Sequence, residues 1–480
     1  MNAAGKSFKA RADAALGDAT LKLAIERTTG NAERKRAAAV AGFAEFEAAR
    51  ARGTAIKDHV IAHLDHYLEA FERNATASGA QVHWACDDAE ARAIVTRICL
   101  DAGAKVVTRA KSMLGEEIGL PHALEDAGIE RVETDLAEHI IQLAGEAPSH
   151  IVWPAMHRTR EQVADLFAAG HHPPPEAQDP ASMVQSARRV LRAKFLAADV
   201  GISGANFLVA DTGATCTVTN EGNAELTTTP PRVHIVTAGI EKLVPSTAHA
   251  MALLRLLVRS ATGGELTQYT TFHRGPRRPG DADGPEAMHI VLVDNGRTRM
   301  LAGEMRAMLR CIRCGACMNH CVVYRQIGGH AYGGTYPGPM GAVLTPVLDG
   351  LAGSRDLPQA CTMNGRCAEV CPVGIPIPTL LRAWRRRSWR EGLEPRPLRA
   401  GIGLWARLAR RPALYHLASR VGVRALRLFG RGGSIGWLPL AGGWTRHRDL
   451  PRPPGRTFME QHRAAQAQAQ AQAQARAGRR

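Results

Sequence analysis

Cys311-Ile-Arg-Cys314-Gly-Ala-Cys317-Met-Asn-His-Cys321 and, after 39 intervening residues, Cys361-Thr-Met-Asn364-Gly-Arg-Cys367-Ala-Glu-Val-Cys371-Pro372 are the stretches that decide how this chain is built. They hold seven of its ten cysteines within 61 residues. The first is a C-x2-C-x2-C-x3-C run. At that spacing three thiolates grip one [4Fe–4S] cluster and the fourth reaches a neighbouring one. Two-residue gaps curl the backbone round a cubane, so that thiolates meet three corners while amide N–H groups face its sulfides. Gly315 allows the close backbone approach. A full second run needs a cysteine at position 364, where the chain has Asn364. Cross-ligation then assigns Cys311, Cys314, Cys317 and Cys371 to a first cluster and Cys321, Cys361 and Cys367 to a second. The first is a [4Fe–4S] cluster. The second is a [4Fe–4S] cluster whose fourth corner is open or takes an oxygen from Asn364 or water, or it is a [3Fe–4S] cluster. Zinc sites use four ligands in paired knuckles and have no need of such a run. Cys86, Cys99 and Cys216 lie elsewhere, in predicted strands and helices, and are read as buried apolar thiols.

The rest of the chain is consistent with a reducing compartment. Its 480 residues imply two or three domains, and 45% hydrophobic with 22% charged residues describe a globular chain with a real core. No window approaches the roughly 18 apolar residues of a membrane span. Met1–Leu16 is charged throughout and has no apolar signal core, so a cytoplasmic location is expected, where cysteines are not read as disulfides. The net charge of +16 is local. Leu381–Arg480 holds 22 Arg, no Lys and 4 acidic residues, a charge of +18, so the preceding 380 residues sum to −2. A nearly neutral body argues against a nucleic-acid partner.

Residues 7–75 read as helices over Phe8–Ile25, Asn31–Arg52 and Ile56–Phe71. Strands and helices then alternate: strands at Gln81–Ala85, Lys105–Thr108, Arg131–Glu133 and His150–Pro154, with helices Ala89–Cys99, Ser112–Ala127 and Leu136–Ala144. A long helix, Ala181–Ala198, precedes strands Ala205–Ala210, Thr215–Thr219 and Arg232–Thr237. Helix Thr247–Ser260 and strands near Tyr269–Phe272 and His289–Val293 complete the domain. This order predicts an α/β domain with a parallel sheet. Helix Arg297–Leu309 leads into the cysteines, and no repeat at a fixed long period is evident. The expected organisation is N-terminal helices over 1–74, an α/β domain over 75–296, an α-helical two-cluster ferredoxin domain over 297–394, and an Arg/Trp-rich tail over 395–480. The Ala-Gln run Ala464–Ala475 is expected to be disordered.

Two clusters that each move single electrons read as a wire. The chain has no G-x-G-x-x-G turn and no Walker A loop, so the organic redox step is expected on another subunit. The long spacing between cysteine groups resembles the helical ferredoxin domain of succinate dehydrogenase and fumarate reductase iron–sulfur subunits, where one cluster is also [3Fe–4S]. The first cysteine run, followed by Tyr324-Arg-Gln-Ile-Gly-Gly-His330-Ala-Tyr-Gly-Gly-Thr-Tyr-Pro-Gly-Pro339, resembles the iron–sulfur B-subunit family of bacterial L-lactate utilisation complexes. Upstream, Glu133-Thr-Asp135-Leu-Ala-Glu138, Gln142-Leu-Ala-Gly-Glu146-Ala-Pro-Ser-His150-Ile, Asp211-Thr-Gly213, Asn220-Glu-Gly-Asn223 and Thr270-Thr-Phe272 fit the same family in order, over residues 10–390. The resemblance implies oxidation of L-lactate to pyruvate, two partner subunits, and delivery of electrons to a quinone or cytochrome. It also implies an α/β domain like the sugar-isomerase and coenzyme A transferase folds. One departure stands out: family members commonly carry a cysteine at the place of Asn364 and none at that of Cys361. An iron–sulfur subunit for glycolate or another 2-hydroxy acid, and a redox sensor or scaffold, are the alternative functions.

No catalytic residue is nominated, but smaller features carry expectations. Asn220-Glu221-Gly222-Asn223 has amides suited to a carboxylate, although a tight hairpin is the plainer reading; Asp211-Thr212-Gly213 is similarly ambiguous. His59, His63 and His66 share a helix face and read as a solvated or interface helix rather than metal-binding, and His171-His172 reads as a linker. His330 is placed either near a sulfide or in a purely backbone role. Trp384, Trp389, Trp405, Trp437 and Trp444 accompany the tail arginines, and short helices at Leu404–Ala409 and Pro412–Leu417 suit an anionic membrane surface, at the inner face of the membrane, or an acidic partner.

Overall fold

A computed structural model describes residues 7–439, 441, 445 and 448–478. Four helices come first: Phe8–Leu16, Ala19–Ala41, Phe46–Ala62 and Leu64–Ala77. The predicted break after Ile25 does not occur. Thr28 and Thr29 turn their hydroxyls onto the Ala24 and Ile25 carbonyls (3.0 and 2.7 Å), so that neither hydroxyl is left unpaired inside the helix. The break falls instead at Gly17-Asp18, where the Asp18 carboxylate accepts the Leu21 amide at 2.9 Å and caps the second helix.

Ten strands follow up to residue 293: β1 (Gln81–Ala85), β2 (Val106–Arg109), β3 (Glu130–Glu133), β4 (Val200–Gly204), β5 (Phe207–Val209), β6 (Ala214–Thr219), β7 (Val233–Gly239), β8 (Leu243–Val244), β9 (Tyr269–His273) and β10 (Ala287–Val293). Six form one parallel sheet in the order β1-β10-β7-β4-β2-β3. Side chains alternate between its faces. Ile235, Val291 and Val293 pack under the helices of residues 88–124, whereas Val236, Ile290 and Leu292 pack against Val60, Leu64 and Phe71. Both faces are therefore covered, as a parallel sheet requires. The α/β prediction holds. A second sheet, β8-β5-β6-β9, was not foreseen; in it β6 pairs antiparallel with both β5 and β9.

Several local expectations are corrected. Strand β4 was missed because Val200-Gly-Ile-Ser-Gly204 carries two glycines directly after a helix that ends at Ala197. Gly201 is needed there, since a Cβ would stand 1.7 Å from the Thr227 carbonyl oxygen. His150–Pro154 is a loop and not a strand: the His150 Nδ1 accepts the amides of Val152 and Trp153 at 3.0 and 3.1 Å, which curls the chain. The expected hairpin at Asn220–Asn223 is the entry to a short helix, Asn223–Thr228, begun by Gly222 at φ 75°. Ser112–Ala127 is interrupted by Gly119 at φ 68°, and Arg297–Leu309 becomes a five-residue helix and a 3-10 turn.

The chain divides into two compact units, Met1–Glu391 and Gly392–Arg480. In the first, the N-terminal helices hold the cysteine segment as well as the sheet. Arg36 donates to the Val370 carbonyl (2.9 Å), and Arg50 donates to the carbonyls of Cys371 and Ala368 (2.8 and 3.0 Å). Trp384 belongs to this unit and not to the tail: it is buried and donates to the Val343 carbonyl at 3.0 Å. The second unit contains helices Arg396–Ala409 and Pro412–Leu428, neither with a buried residue. The Ala-Gln run, expected to be disordered, lies in a helix, Phe458–Ala477, opened by a Thr457–Glu460 capping box. Alanine and glutamine favour helix without any need to pack. Trp444 lies outside the described residues. Among those residues no helix is long and apolar enough to cross a membrane.

Candidate iron–sulfur site

The two cysteine stretches are copies of one backbone, 50 residues apart. Arg313 and Met363 both take positive φ (61° and 60°), as do Gly315 and Gly365 (76° and 87°). Each glycine opens a four-residue helix, Ala316–Asn319 or Arg366–Glu369. The same amides bond back in each: Met318 and Ala368 to the glycine carbonyl (both 3.0 Å), then Cys321 and Cys371 to the Met318 and Ala368 carbonyls (3.0 and 3.3 Å). Cys361, Asn364, Cys367 and Cys371 thus occupy the places of Cys311, Cys314, Cys317 and Cys321. A short internal repeat is present that periodicity had not revealed.

The fold brings the seven thiols into two adjoining groups. Burial and then the charge of Cys371 push the Cys314 thiol up to about 12, and Cys317 is pushed well up by burial and by Cys314, Cys311, Cys371 and Cys367. Cys321 feels Cys361, and Cys367, raised to about 12 by burial, feels Cys361 and Cys321. Cys371 is thus an electrostatic neighbour of the first run, Cys321 of Cys361 and Cys367, and Cys367 of Cys317 as well. Backbone amides point at three of the sulfurs: Tyr324 at Cys321 (3.5 Å), Met363 at Cys361 (3.3 Å) and Ile375 at Cys371 (3.4 Å). Such amides stabilise thiolates. Seven buried or partly buried thiols, whose thiolate forms would repel one another, fit a polynuclear iron centre, which takes them as thiolates and releases their protons. Among the described residues no three His, Cys, Asp or Glu side chains close on a single ion. Asn364 is exposed, and its Oδ1 accepts the Arg366 amide at 3.2 Å.

Cations surround the first group. The charge of Cys311 acts on Lys57, Lys242 and Arg313, and Arg36 feels Cys314 and Cys371. Lys57 is fully buried and donates to the Glu241 and Leu243 carbonyls. Arg313 lies inside the first run, whereas Arg36, Lys57 and Lys242 lie far from the cysteines in sequence and were missed by sequence reasoning. Behind them runs a buried ion network. Arg297 donates to both Glu117 oxygens (2.8 and 3.0 Å) and to Glu241, Arg313 donates to Glu241 at 3.3 Å, and Tyr336 donates to Glu117 at 2.6 Å.

Several motif residues prove to be joints. His150 is fully buried, hydrogen-bonds to Asn319 at 3.1 Å and stands where a Cβ on Gly315 would meet it at 3.1 Å. Burial, with Lys111 adding to it, lowers its pKa to about 3, so it remains neutral. Glu146 anchors His157 and Arg158, and Tyr324 donates to the Ser149 carbonyl at 2.7 Å. The His330 ring bonds to the Ala147 carbonyl at 2.8 Å. Gly213 is needed for packing, since a Cβ would lie 2.1 Å from the Ala75 nitrogen. His171 is no linker; it is buried between His139 (3.0 Å) and Ser186 (2.9 Å). His59 pairs with Tyr67 at 2.9 Å, while His63 marks the break between two helices. Cys99 and Cys216 are buried as expected, but Cys86 is exposed.

Comparison with known families agrees with this architecture. Residues 68–293 match the LUD domain, and residues 307–375 match a 4Fe-4S dicluster domain. An uncharacterised electron transport protein, YkgF, of Escherichia coli K12 is 40% identical over 96% of this chain and 97% of its own length. Lactate utilization protein B of Bacillus licheniformis is 40% identical over 95% of this chain and 96% of its own, and that of Shouchella clausii 40% over 96% and 97%. The chain belongs to the lactate utilization protein B family, in which a LUD domain is joined to a 4Fe-4S dicluster domain.

Proposed function

We propose that this chain is the iron–sulfur electron-transfer subunit of a multi-subunit assembly that oxidises L-lactate to pyruvate. The observation that carries the reading is the near-full-length likeness to lactate utilization protein B, together with the match of residues 307–375 to a 4Fe-4S dicluster domain. Iron–sulfur clusters, when bound, supply one-electron carriers. Oxidation of one lactate releases two electrons and two protons, and two such carriers take up that electron pair. The chain's own contribution is electrostatic. Cations at Lys57, Lys242, Arg313 and Arg36 gather round the first cysteine group, and electrons are more favourably held where positive charge is fixed nearby.

The test is anaerobic stopped-flow reduction of the reconstituted chain by L-lactate in the presence of its two partner subunits, followed by transfer to a quinone or cytochrome. Bleaching of the iron–sulfur absorption with lactate, and not with glycolate, is expected. Bleaching by glycolate alone would replace lactate as the fuel. No bleaching with either acid would favour a sensor.

The tail is assigned to the surface of an anionic membrane. Leu398, Ile402 and Trp405 form one exposed apolar stripe and Leu414, Leu417 and Val421 another, on helices rich in arginine. Wild-type protein should sediment with phosphatidylglycerol vesicles at low salt and be released by high salt. Removal of residues 396–480 should abolish sedimentation. Equal recovery of both proteins with the vesicles would end this assignment.

A further inference from the structure

A cavity of about 480 Å³ opens at the carboxyl ends of β2, β4 and β7, the edge at which open α/β sheets bind ligands. Arg313 and Tyr336, from the cysteine-bearing segment, form part of its wall. Its acids are already engaged. Glu241 accepts from Arg297 and Arg313, Asp135 accepts the Ala137 and Glu138 amides (2.9 and 3.2 Å), and Glu221 turns back onto Thr219 and the Asn220 amide. Its cations are not all engaged. Lys242 lines the cavity with no hydrogen bond or ion pair among the described residues. Arg313 spends Nη2 on Glu241 while its buried Nη1 has no partner. A buried donor left open costs about 1–3 kcal/mol, more on a charged group, so a ligand that supplies acceptors is favoured there. Trp153 and Leu257, also in its wall, provide apolar surface for an organic body.

We propose that this cavity binds an organic carboxylate of the 2-hydroxy or 2-oxo acid class, with its carboxylate held by Lys242 and Arg313. A planar carboxylate suits a guanidinium and an ammonium that line one cavity. The cavity is larger than a three-carbon acid, so acids with longer or aromatic side chains are accommodated. Only the choice of acid class rests on the proposed function; the preference for an anion rests on the cavity. The α/β domain is then a binding domain beside the first cysteine group, as well as a scaffold for it.

The experiment uses the full chain, reconstituted with iron and sulfide without air. Calorimetric titration with L-lactate, pyruvate and phenylpyruvate is compared with orthophosphate. Saturable binding of at least one of the acids is expected, with an upward shift in melting temperature. The electron paramagnetic resonance signal of the reduced chain should change on ligand addition. Lys242→Met should weaken the affinity at least tenfold while retaining iron content, whereas Lys242→Arg should keep most of it. Absence of saturable binding and of a thermal shift by any of the acids overturns the proposal. So does affinity that is unchanged in Lys242→Met, or binding of orthophosphate alone. Should the acids bind while lactate plus the partner subunits fails to reduce the chain, the site stands and the electron-transfer reading falls.

Discussion

Oxidised in air, the wild-type protein is expected to show a [3Fe–4S] paramagnetic signal approaching half of its total clusters, and Asn364→Cys to remove most of it. The reason lies in the two superposable cysteine turns. Arg313 and Met363, like Gly315 and Gly365, share backbone conformations, so residue 364 stands in the second turn where Cys314 stands in the first. Cys314 is buried. Asn364 instead lies in solvent and its carbonyl oxygen is already taken up by the Arg366 amide at 3.2 Å. A neutral amide is a much poorer iron ligand than a charged, soft thiolate, so a corner iron there is held weakly and lost first. The positive φ at Met363 and Gly365 already provides the backbone that a cysteine at 364 needs, and the substitution forfeits only one local hydrogen bond. Asn364→Cys should therefore retain about one more iron per chain after exposure to air. Wild-type protein that keeps eight irons firmly in air, with no change in the variant, would refute the ligand assignment. Cys361→Ser with both clusters intact would do the same.

The second large effect concerns Arg297. Its side chain is 4% exposed and holds Glu117 and Glu241, themselves 2% and 4% exposed. Removal of one partner from a buried ion group leaves uncompensated charge, at a typical cost of about 3–5 kcal/mol. Arg297→Met should therefore lower the unfolding free energy by that amount at neutral pH, read by anaerobic denaturant titration. The pH dependence has a definite sign. Arg297 and Arg313 hold the Glu241 carboxyl at about 2, below its ordinary 4.5, despite burial that acts the other way. A carboxyl with a depressed folded pKa contributes stability above its unfolded value, and that contribution is lost as the pH falls from about 4.5 toward 2. The deficit of the variant should be full at pH 7 and should narrow below pH 4.5, where the wild type loses the same stabilisation. A deficit that is constant between pH 7 and pH 4 would show that Arg297 acts through packing alone.

What the sequence determined by itself was whatever is written locally. The spacing of Cys311, Cys314, Cys317 and Cys321 requires a chain that turns tightly round something polynuclear. The alternation of apolar runs with amphipathic stretches from residue 81 to 293 requires a parallel sheet with covered faces, and six such strands are present. The missing cysteine at 364 was legible because the second run could be laid on the first. Tertiary structure decided the rest, for three physical reasons. Strand β4 carries two glycines and no alternation, and it is a strand because β2 and β7 flank it and Thr227 presses on Gly201. His150 looked like part of a strand, yet its ring, closed over Gly315, replaces the sheet as the acceptor for the local amides. Most decisively, charges from Arg36, Lys57 and Lys242, remote in sequence, act on or feel the first cysteine group, and the Tyr336–Glu117 bond spans 219 residues. Local periodicity records which face of an element is buried and is silent on which charge it will meet there. Pairings between buried charges, and the cavity that they line, exist only once the chain has closed on itself.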